Sequence, residues 1–173
     1  GSQGARRLNR VVWETFQGFN EDELSRFRLK HLTGKLDYEE MKSLYEKMPK
    51  LFDRTVLDFS ENVADLYLES HWVIARSGAG SISELAAFGR PSLLVPYPHA
   101  ESHQLANARF LEQKGACEVV EEKDLTSELL ARRLRALRDE PGRLKSMAEN
   151  AKNTRILDAA SRLSRLSLEL LRN

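Results

Sequence analysis

Short apolar runs alternate with segments of helical periodicity along the chain. Apolar runs bounded by glycine or proline predict buried strands, whereas apolar residues spaced three and four apart predict amphipathic helices. The predicted strands are residues 28–32, 55–59, 72–75, 92–95 and 117–120, and the predicted helices are residues 6–16, 38–48, 63–67, 81–88, 102–113 and 126–137. Strands separated by helices indicate βαβ units, so we expect an α/β fold: a Rossmann-like parallel sheet with helices on both faces.

Glycine, proline and capping residues mark the ends of several predicted helices. Gly89 and Gly115 each follow a helical segment and favour its termination, and Thr126 is suited to an N-cap. Pro141 interrupts the helical pattern, and Asp158 opens a last amphipathic segment. The 173 residues are enough for one core. We therefore predict a single domain over residues 1–173, with the last helices, from about residue 141, packing at its edge.

The composition is that of an ordinary globular domain. Charged residues make up 31%, hydrophobic residues 41%, and the net charge is +1, which gives no indication of nucleic-acid binding. No apolar stretch approaches the ~18–20 residues of a membrane span, so we expect a cytoplasmic chain. The single cysteine, Cys117, excludes an internal disulfide, and its apolar neighbours predict a small core residue rather than a reactive thiol.

The stretch with the clearest chemistry is residues 76–85, RSGAGSISEL, directly after the strand at 72–75. A strand that enters a turn of small residues and leaves as a helix brings backbone N–H groups and the positive helix end to one point, which makes an anion site. Glu84 follows about one turn into the helix. A phosphate on a helix end with a sugar hydroxyl on an acid is the chemistry of nucleotide recognition. The stretch predicts a nucleotide or nucleotide-sugar site.

Two charged side chains of this stretch have alternative interpretations. Glu84 is either a ribose ligand or an acid that stabilises the first turn of its helix. Arg76 is either half of a surface ion pair or a cation near a diphosphate. Position in the sequence does not decide between them.

The chain opens with GSQGA, a second turn of small residues leading into a helix. Such a turn normally follows a strand, so we expect either a cloning remnant at Gly1 and Ser2 or, preferentially, a chain cut from a longer protein after its first strand. Two such turns at the carboxyl ends of parallel strands support the same ligand site.

Residues 99–107, HAESHQLAN, are rich in side-chain donors and acceptors. His103, Gln104 and Asn107 suit a hydroxyl-rich ligand such as a sugar, although a helix start with solvent-facing polar residues gives the same pattern. The spacing of His99, Glu101 and His103 lacks the HExxH arrangement, so we expect no metal. A GxSxG elbow and a Walker lysine motif are absent from the sequence, so we expect neither hydrolase chemistry nor ATP hydrolysis.

Taken in order, these blocks resemble MurG-type enzymes. The motifs on which this resemblance rests are GSQGAR at 1–6, HLTG at 31–34, RSGAGSISE at 76–84, PYPH at 96–99 and HQLANA at 103–108. The family comprises UDP-N-acetylglucosamine:undecaprenyl-diphospho-muramoylpentapeptide N-acetylglucosaminyltransferases of glycosyltransferase family 28, which act in peptidoglycan synthesis. The resemblance covers essentially the whole chain but only the carboxy-terminal, donor-binding half of the family's GT-B architecture.

The resemblance implies a set of UDP-sugar contacts and no cofactor. Ser2 and Gln3 face the donor, and the backbone of Ala79 and Gly80, with Ser81, faces the phosphates beside Arg76. Glu84 binds the ribose hydroxyls, and Phe59 and Ser60 hold the uracil edge, where Ser60 departs from the family's usual apolar residue. The N-acetylglucosamine contacts implied by the resemblance are His103 and Gln104, and Asn107, whose amide suits a sugar hydroxyl, completes the predicted donor site.

The resemblance also implies what this chain does not supply. In the family, an amino-terminal domain binds the lipid-linked acceptor, provides the candidate general base and docks on the membrane, so we expect no catalytic residue here. The full-length protein is expected to lie peripherally on the cytoplasmic face of the bacterial inner membrane and to serve cell division and cell shape. Alternatives are a related transferase that uses another UDP-sugar with a diacylglycerol or dolichyl-linked acceptor, and a non-catalytic subunit that completes its site with a separate chain.

Overall fold

The computed structural model describes residues 5–98 and 103–155, in which helices and strands alternate. The predicted turn at residues 1–4 and the segment from Asp158 onward lie outside the described residues. The strands are β1 Arg28–Leu32, β2 Asp53–Leu57, β3 Val73–Ala75, β4 Ser92–Leu94 and β5 Cys117–Val119. The helices are α1 Arg6–Gln17, α2 Glu21–Ser25, α3 Tyr38–Glu46, α4 Val63–Glu69, α5 Ala79–Phe88, α6 His103–Gln113, α7 Ser127–Asp139 and α8 Pro141–Asn153, and a 3₁₀ turn covers Glu122–Asp124.

The strand pairings in the described residues are parallel. β1 pairs with β2, and a second sheet has the order β3-β4-β5, with Val73 opposite Ser92 and Ser92 opposite Cys117. Parallel neighbours need crossover connections, which α3, α5 and α6 supply. The Rossmann-like parallel α/β class is therefore confirmed. The sequence predicts one sheet, whereas the hydrogen bonds in the described residues form two, one of β1 and β2 and one of β3, β4 and β5.

Strand β4 is buried on both faces. Leu93 belongs to a core that includes residues of α1, α3 and α7, and the next residue, Leu94, belongs to a second core with residues of α4, α5, α6 and α8. Successive side chains of a strand point to opposite faces, so the two cores lie on opposite sides of β4. Helical layers on both faces are what the sequence predicts.

Several predicted boundaries shift by one or two residues, and two of these shifts concern candidate site residues. β2 ends at Leu57 rather than at residue 59, so Phe59 lies beyond the strand with 63% of its surface exposed. α5 begins at Ala79 rather than at Ser81, with Gly78 as its N-cap. Serine and glycine both suit an N-cap, so this turn offers several possible first helical residues, which explains the second difference.

The short helix α2 was not predicted. Its N-cap Asn20 accepts from the backbone N–H of Glu23 at 2.9 Å, and the Glu23 carboxylate accepts from the Asn20 N–H at 3.2 Å. This reciprocal capping box is a sequence signal for a helix start. The five residues of α2 are too few to show periodicity.

The predicted terminations at Gly89 and Gly115 and the predicted N-cap at Thr126 are confirmed. Gly89 and Gly115 have φ angles of 60° and 68°. Residues other than glycine are strained in this left-handed backbone conformation. At Gly89, a Cβ atom would lie 2.3 Å from Cγ of Lys152, so α8 also approaches this turn closely. Thr126 is the N-cap of α7, and its Oγ1 accepts from the N–H of Leu129 at 3.2 Å.

The structure also confirms the interpretation of Cys117. Its side chain is buried, and Sγ lies 3.6 Å from the carbonyl oxygen of Ala108. Burial, reinforced by nearby carboxylates, raises the pKa of the thiol to about 12, so the nucleophilic thiolate is not populated at neutral pH.

Among the described helices, none has the length and apolar character needed to cross a bilayer.

A buried polar network supports the turn that follows β1. His31 lies between the hydroxyl of Tyr45, 3.0 Å from Nδ1, and the amide oxygen of Asn9, 3.1 Å from Nε2. The Asn9 NH₂ group donates to the carbonyl of Thr33 at 2.9 Å and to the carboxylate of Asp37 at 2.8 Å. Because Oδ1 of Asn9 only accepts, the proton of the neutral His31 ring is on Nε2, and its Nδ1 accepts from the Tyr45 hydroxyl.

This network predicts a loss of stability in acid. Burial outweighs the charge of Asp37 and lowers the pKa of His31 from 6.5 to about 4. Between these values the unfolded chain binds a proton that the folded chain does not. The free energy of unfolding therefore falls as the pH drops through 6.5 toward 4, by about 1–2 kcal/mol from pH 7 to pH 5.

Urea denaturation at pH 7 and pH 5 measures this effect. His31→Gln is expected to remove that part of the pH dependence, whereas His71→Gln, which changes an exposed histidine, is expected to retain it. The same pH dependence in both variants would contradict the role of His31.

Candidate functional site

The turn between β3 and α5 presents an open helix N-terminus. Gly78 is the N-cap, and the first intrahelical bond runs from the Ile82 N–H to the Gly78 carbonyl at 3.0 Å, so the N–H groups of residues 79–81 have no acceptor in the helix. The first turn of α5 contains no acidic residue to offset the helix dipole. Ala79 and Gly80 are exposed, and a Cβ at Gly78 or Gly80 would meet nothing within 4 Å. The turn therefore has the geometry of an anion site.

Ser77 joins this turn to the start of α6. The residue is completely buried, its hydroxyl donates to the carbonyl of Gln104 at 2.7 Å, and its own carbonyl accepts from Nδ2 of Asn107 at 3.2 Å. Two hydrogen bonds in opposite directions fix α6 relative to the N-terminus of α5. Three predicted site residues, Ser81, Gln104 and Asn107, are thus held in one region at the carboxyl end of β3.

The Gln104 side chain has a defined orientation. The Tyr97 backbone N–H, 3.0 Å away, can only donate, so the atom that faces it is the amide oxygen Oε1. Gln104 and Asn107 are both half-buried and bonded to the backbone. The interpretation of this segment as a solvent-facing helix start is therefore wrong for these two amides. His103, the first residue of α6, is exposed.

Arg76 forms an ion pair, but the pair is not at the surface. Its Nη2 contacts the carboxylate of Glu122, and the side chains of both residues are about 15% exposed. Nη1 donates to the carbonyls of Val95 at 3.2 Å and Pro96 at 3.4 Å, and the guanidinium lies 5.4 Å from the centre of the Tyr97 ring. Arg76, which follows β3, therefore links the residues after β4 to the 3₁₀ turn that contains Glu122. A contact with a diphosphate stays a prediction.

Glu84 lies in the second turn of α5, not the first. Because the helix starts at Ala79, Glu84 is its sixth residue, and the interpretation as an acid that stabilises the first turn is wrong. The exposed Glu84 carboxylate accepts from the hydroxyl of Tyr67 at 2.9 Å. Burial, followed by this hydrogen bond, raises the pKa of Tyr67, so the phenol stays protonated and acts as the donor.

Sequence reasoning missed both partners of these charged residues. Tyr67 reads as an ordinary apolar position of its helix, and Glu122 lies in a polar stretch with no periodicity. Neither carries a local signal, because each contact is made between elements that are distant in the sequence.

The remaining predicted contacts lie elsewhere or outside the described residues. Phe59 and Ser60 follow the carboxyl end of β2, and the Phe59 N–H donates to the Asp58 carboxylate at 2.7 Å. Ser2 and Gln3 are outside the described residues. His99 and Glu101, at which we expect no metal, are also outside them. Within residues 5–98 and 103–155, no cluster of potential metal ligands occurs.

The chain is similar to known proteins over most of its length. A family model described as "Glycosyltransferase family 28 C-terminal domain" matches residues 1–163. A UDP-N-acetylglucosamine--N-acetylmuramyl-(pentapeptide) pyrophosphoryl-undecaprenol N-acetylglucosamine transferase of Geobacter metallireducens is 40% identical over 161 residues, which are 92% of this chain and 43% of the relative. The protein of the same name from Leptospira interrogans is 37% identical over the same shares. The chain thus spans less than half the length of these relatives.

Solved structures give the same result. MurG of Acinetobacter baumannii superposes with a TM-score of 0.83 at 29% identity, covering 96% of this chain and 49% of that chain. The glycosyltransferase VinC, solved in complex with DTDP, shares the fold alone, with a TM-score of 0.60 at 19% identity over 90% of this chain and 38% of its own.

The family model, the sequence relatives and the fold agree with the predicted resemblance to MurG-type enzymes. The chain belongs to the C-terminal domain family of glycosyltransferase family 28.

Proposed function

We propose that this chain is the donor-binding domain of an inverting N-acetylglucosaminyltransferase. The full-length enzyme would move N-acetylglucosamine from UDP-N-acetylglucosamine to undecaprenyl-diphospho-muramoylpentapeptide. The observation that carries the proposal is the pair of hydrogen bonds at Ser77, which hold the amides of Gln104 and Asn107 beside the open N-terminus of α5. The donor and acceptor named for the relatives support this choice.

Each part of the site has a proposed role that suits its chemistry. The N–H groups at Ala79, Gly80 and Ser81 bind the diphosphate, because the helix end is positive and open. Glu84 accepts from the ribose hydroxyls. The proposed sugar contacts are His103, Gln104 and Asn107, the proposed uracil contacts are Phe59 and Ser60, and the proposed further donor contacts are Arg76, Ser2 and Gln3.

The proposed chemistry is a direct displacement. An acceptor hydroxyl attacks the anomeric carbon, the bond from that carbon to the diphosphate oxygen breaks, and UDP leaves with the electron pair. Negative charge grows on the diphosphate at the N-terminus of α5, where fixed N–H dipoles stabilise it. The base that removes the acceptor proton is proposed to belong to a separate acceptor-binding domain. This chain alone is then expected to bind the donor without transferring the sugar.

The proposal has consequences for location. A lipid-linked acceptor would be reached through the acceptor-binding domain, with the full-length protein peripheral on the cytoplasmic face of the membrane. Participation in cell division and cell shape would follow from a role in peptidoglycan synthesis.

Titration of the 173-residue chain with three donors tests the function. We expect UDP-N-acetylglucosamine to bind more tightly than UDP-glucose or UDP-galactose in isothermal calorimetry, because the amides of α6 contact the sugar. A preference for UDP-galactose would contradict the proposed donor and favour a related transferase.

Replacement of Glu84 tests the ribose contact. Glu84→Ala is expected to weaken UDP binding by roughly 1–3 kcal/mol through loss of a charge-assisted hydrogen bond. Calorimetry measures the loss, and Glu46→Ala, which removes an exposed acid at the end of α3, serves as the matched control. Unchanged affinity in Glu84→Ala would remove Glu84 from the site.

Replacement of Gln104 tests the sugar contact. Gln104→Ala is expected to weaken binding of UDP-N-acetylglucosamine while leaving binding of UDP unchanged. Gln104→Glu keeps an oxygen acceptor for the Tyr97 N–H but removes the NH₂ donor, so it separates the ligand contact from the internal anchor. Equal losses for UDP and UDP-N-acetylglucosamine in both variants would contradict the assignment.

A further inference from the structure

Tyr67 of α4 contacts two residues on one face of α5. Its ring stacks on Phe88, with centroids 5.3 Å apart and an interplanar angle of 17°, and its hydroxyl donates to Oε2 of Glu84 at 2.9 Å. Glu84 and Phe88 are four residues apart, so they are neighbours on the helix surface. Tyr67 is 8% exposed. The buried ring of Tyr67 therefore places its hydroxyl next to the exposed carboxylate of Glu84.

This arrangement restricts Glu84 before any ligand binds. A free glutamate at an exposed helical position samples several rotamers, and ordering it on binding costs conformational entropy. The Tyr67 hydroxyl cannot move far, because the ring is packed against Phe88 and Tyr67 belongs to the second core. One carboxylate oxygen is engaged with the phenol, and the other, Oε1, keeps its lone pairs for a further donor.

We infer that Tyr67 is a positioning residue for ribose recognition, which holds the Glu84 carboxylate in the orientation that accepts from the sugar hydroxyls of the nucleotide. The inference rests on the proposed function, because it assumes that Glu84 faces a ribose. It adds a residue that does not touch the ligand. The hydroxyl of Tyr67 acts through Glu84 alone, and its ring supplies the packing.

Tyr67→Phe separates these two contributions, because it keeps the ring and removes only the hydroxyl. We expect the dissociation constant for UDP to rise about three- to tenfold, the effect of one net hydrogen bond. Binding of 2′,3′-dideoxy-UDP, which has no ribose hydroxyls to offer Glu84, is expected to be unchanged. A purely structural role for Tyr67 would weaken both nucleotides equally.

Tyr45→Phe is the matched control. Tyr45 is also a buried tyrosine whose hydroxyl is hydrogen-bonded, but its partner is His31 below the turn after β1. Tyr45→Phe is expected to lower the free energy of unfolding without changing the difference in affinity between UDP and 2′,3′-dideoxy-UDP. A loss of ribose discrimination in Tyr45→Phe would show a general effect of destabilisation and overturn the inference.

A double-mutant cycle completes the test. If Tyr67 acts through Glu84, adding Tyr67→Phe to Glu84→Ala produces no further loss of UDP affinity. Additive losses would overturn the positioning role while leaving Glu84 as a ribose contact. Failure of the unmodified chain to bind UDP would instead overturn the proposed function and the inference with it. Equal binding of UDP by Glu84→Ala and the unmodified chain would remove Glu84 from the site and overturn the inference, while the proposed function would stand.

Discussion

The Ser77 hydroxyl is buried between two elements that are distant in the sequence, and it donates to the first turn of α6 while the Ser77 carbonyl accepts from Asn107. The N-terminus of α5 follows directly, so the open end of one helix and the amides of another are held by the same residue. A polar group left unsatisfied at such a depth costs about 1–3 kcal/mol, which favours one arrangement of the two helices over others. The contacts of the Gln104 and Asn107 side chains depend on this placement of α6 relative to α5.

Internal hydrogen bonds also prepare the site for a ligand. Gln104 is oriented by the Tyr97 N–H, Asn107 by the Ser77 carbonyl, and Glu84 by the Tyr67 hydroxyl. Each side chain has lost much of its rotational freedom during folding, so less conformational entropy remains to be lost on binding. Arg76 contributes in a different way: it is bonded to the carbonyls at the end of β4 and so stabilises the loop that carries Tyr97.

The sequence predicts the parallel α/β class and most element positions, because periodicity and punctuation by glycine and proline are local signals. Gly89, Gly115 and Thr126 end or begin helices as predicted. The start of α5 is predicted two residues late, since the turn contains several serine and glycine residues that suit an N-cap, and that shift changes the interpretation of Glu84. The Arg76–Glu122 and Tyr67–Glu84 contacts were not predictable, because tertiary packing alone brings those residues together.

Leu93 and Leu94 place one strand between two cores, and this has a consequence for how the domain loses its structure. Opening of either helical layer would expose one face of β4 to water and remove support from the strand on which the opposite layer packs. The two layers are therefore expected to unfold cooperatively, with the slowest amide exchange at this strand. The turn proposed to bind the diphosphate follows β3, which pairs directly with β4, so it borders the part of the domain that is expected to open last.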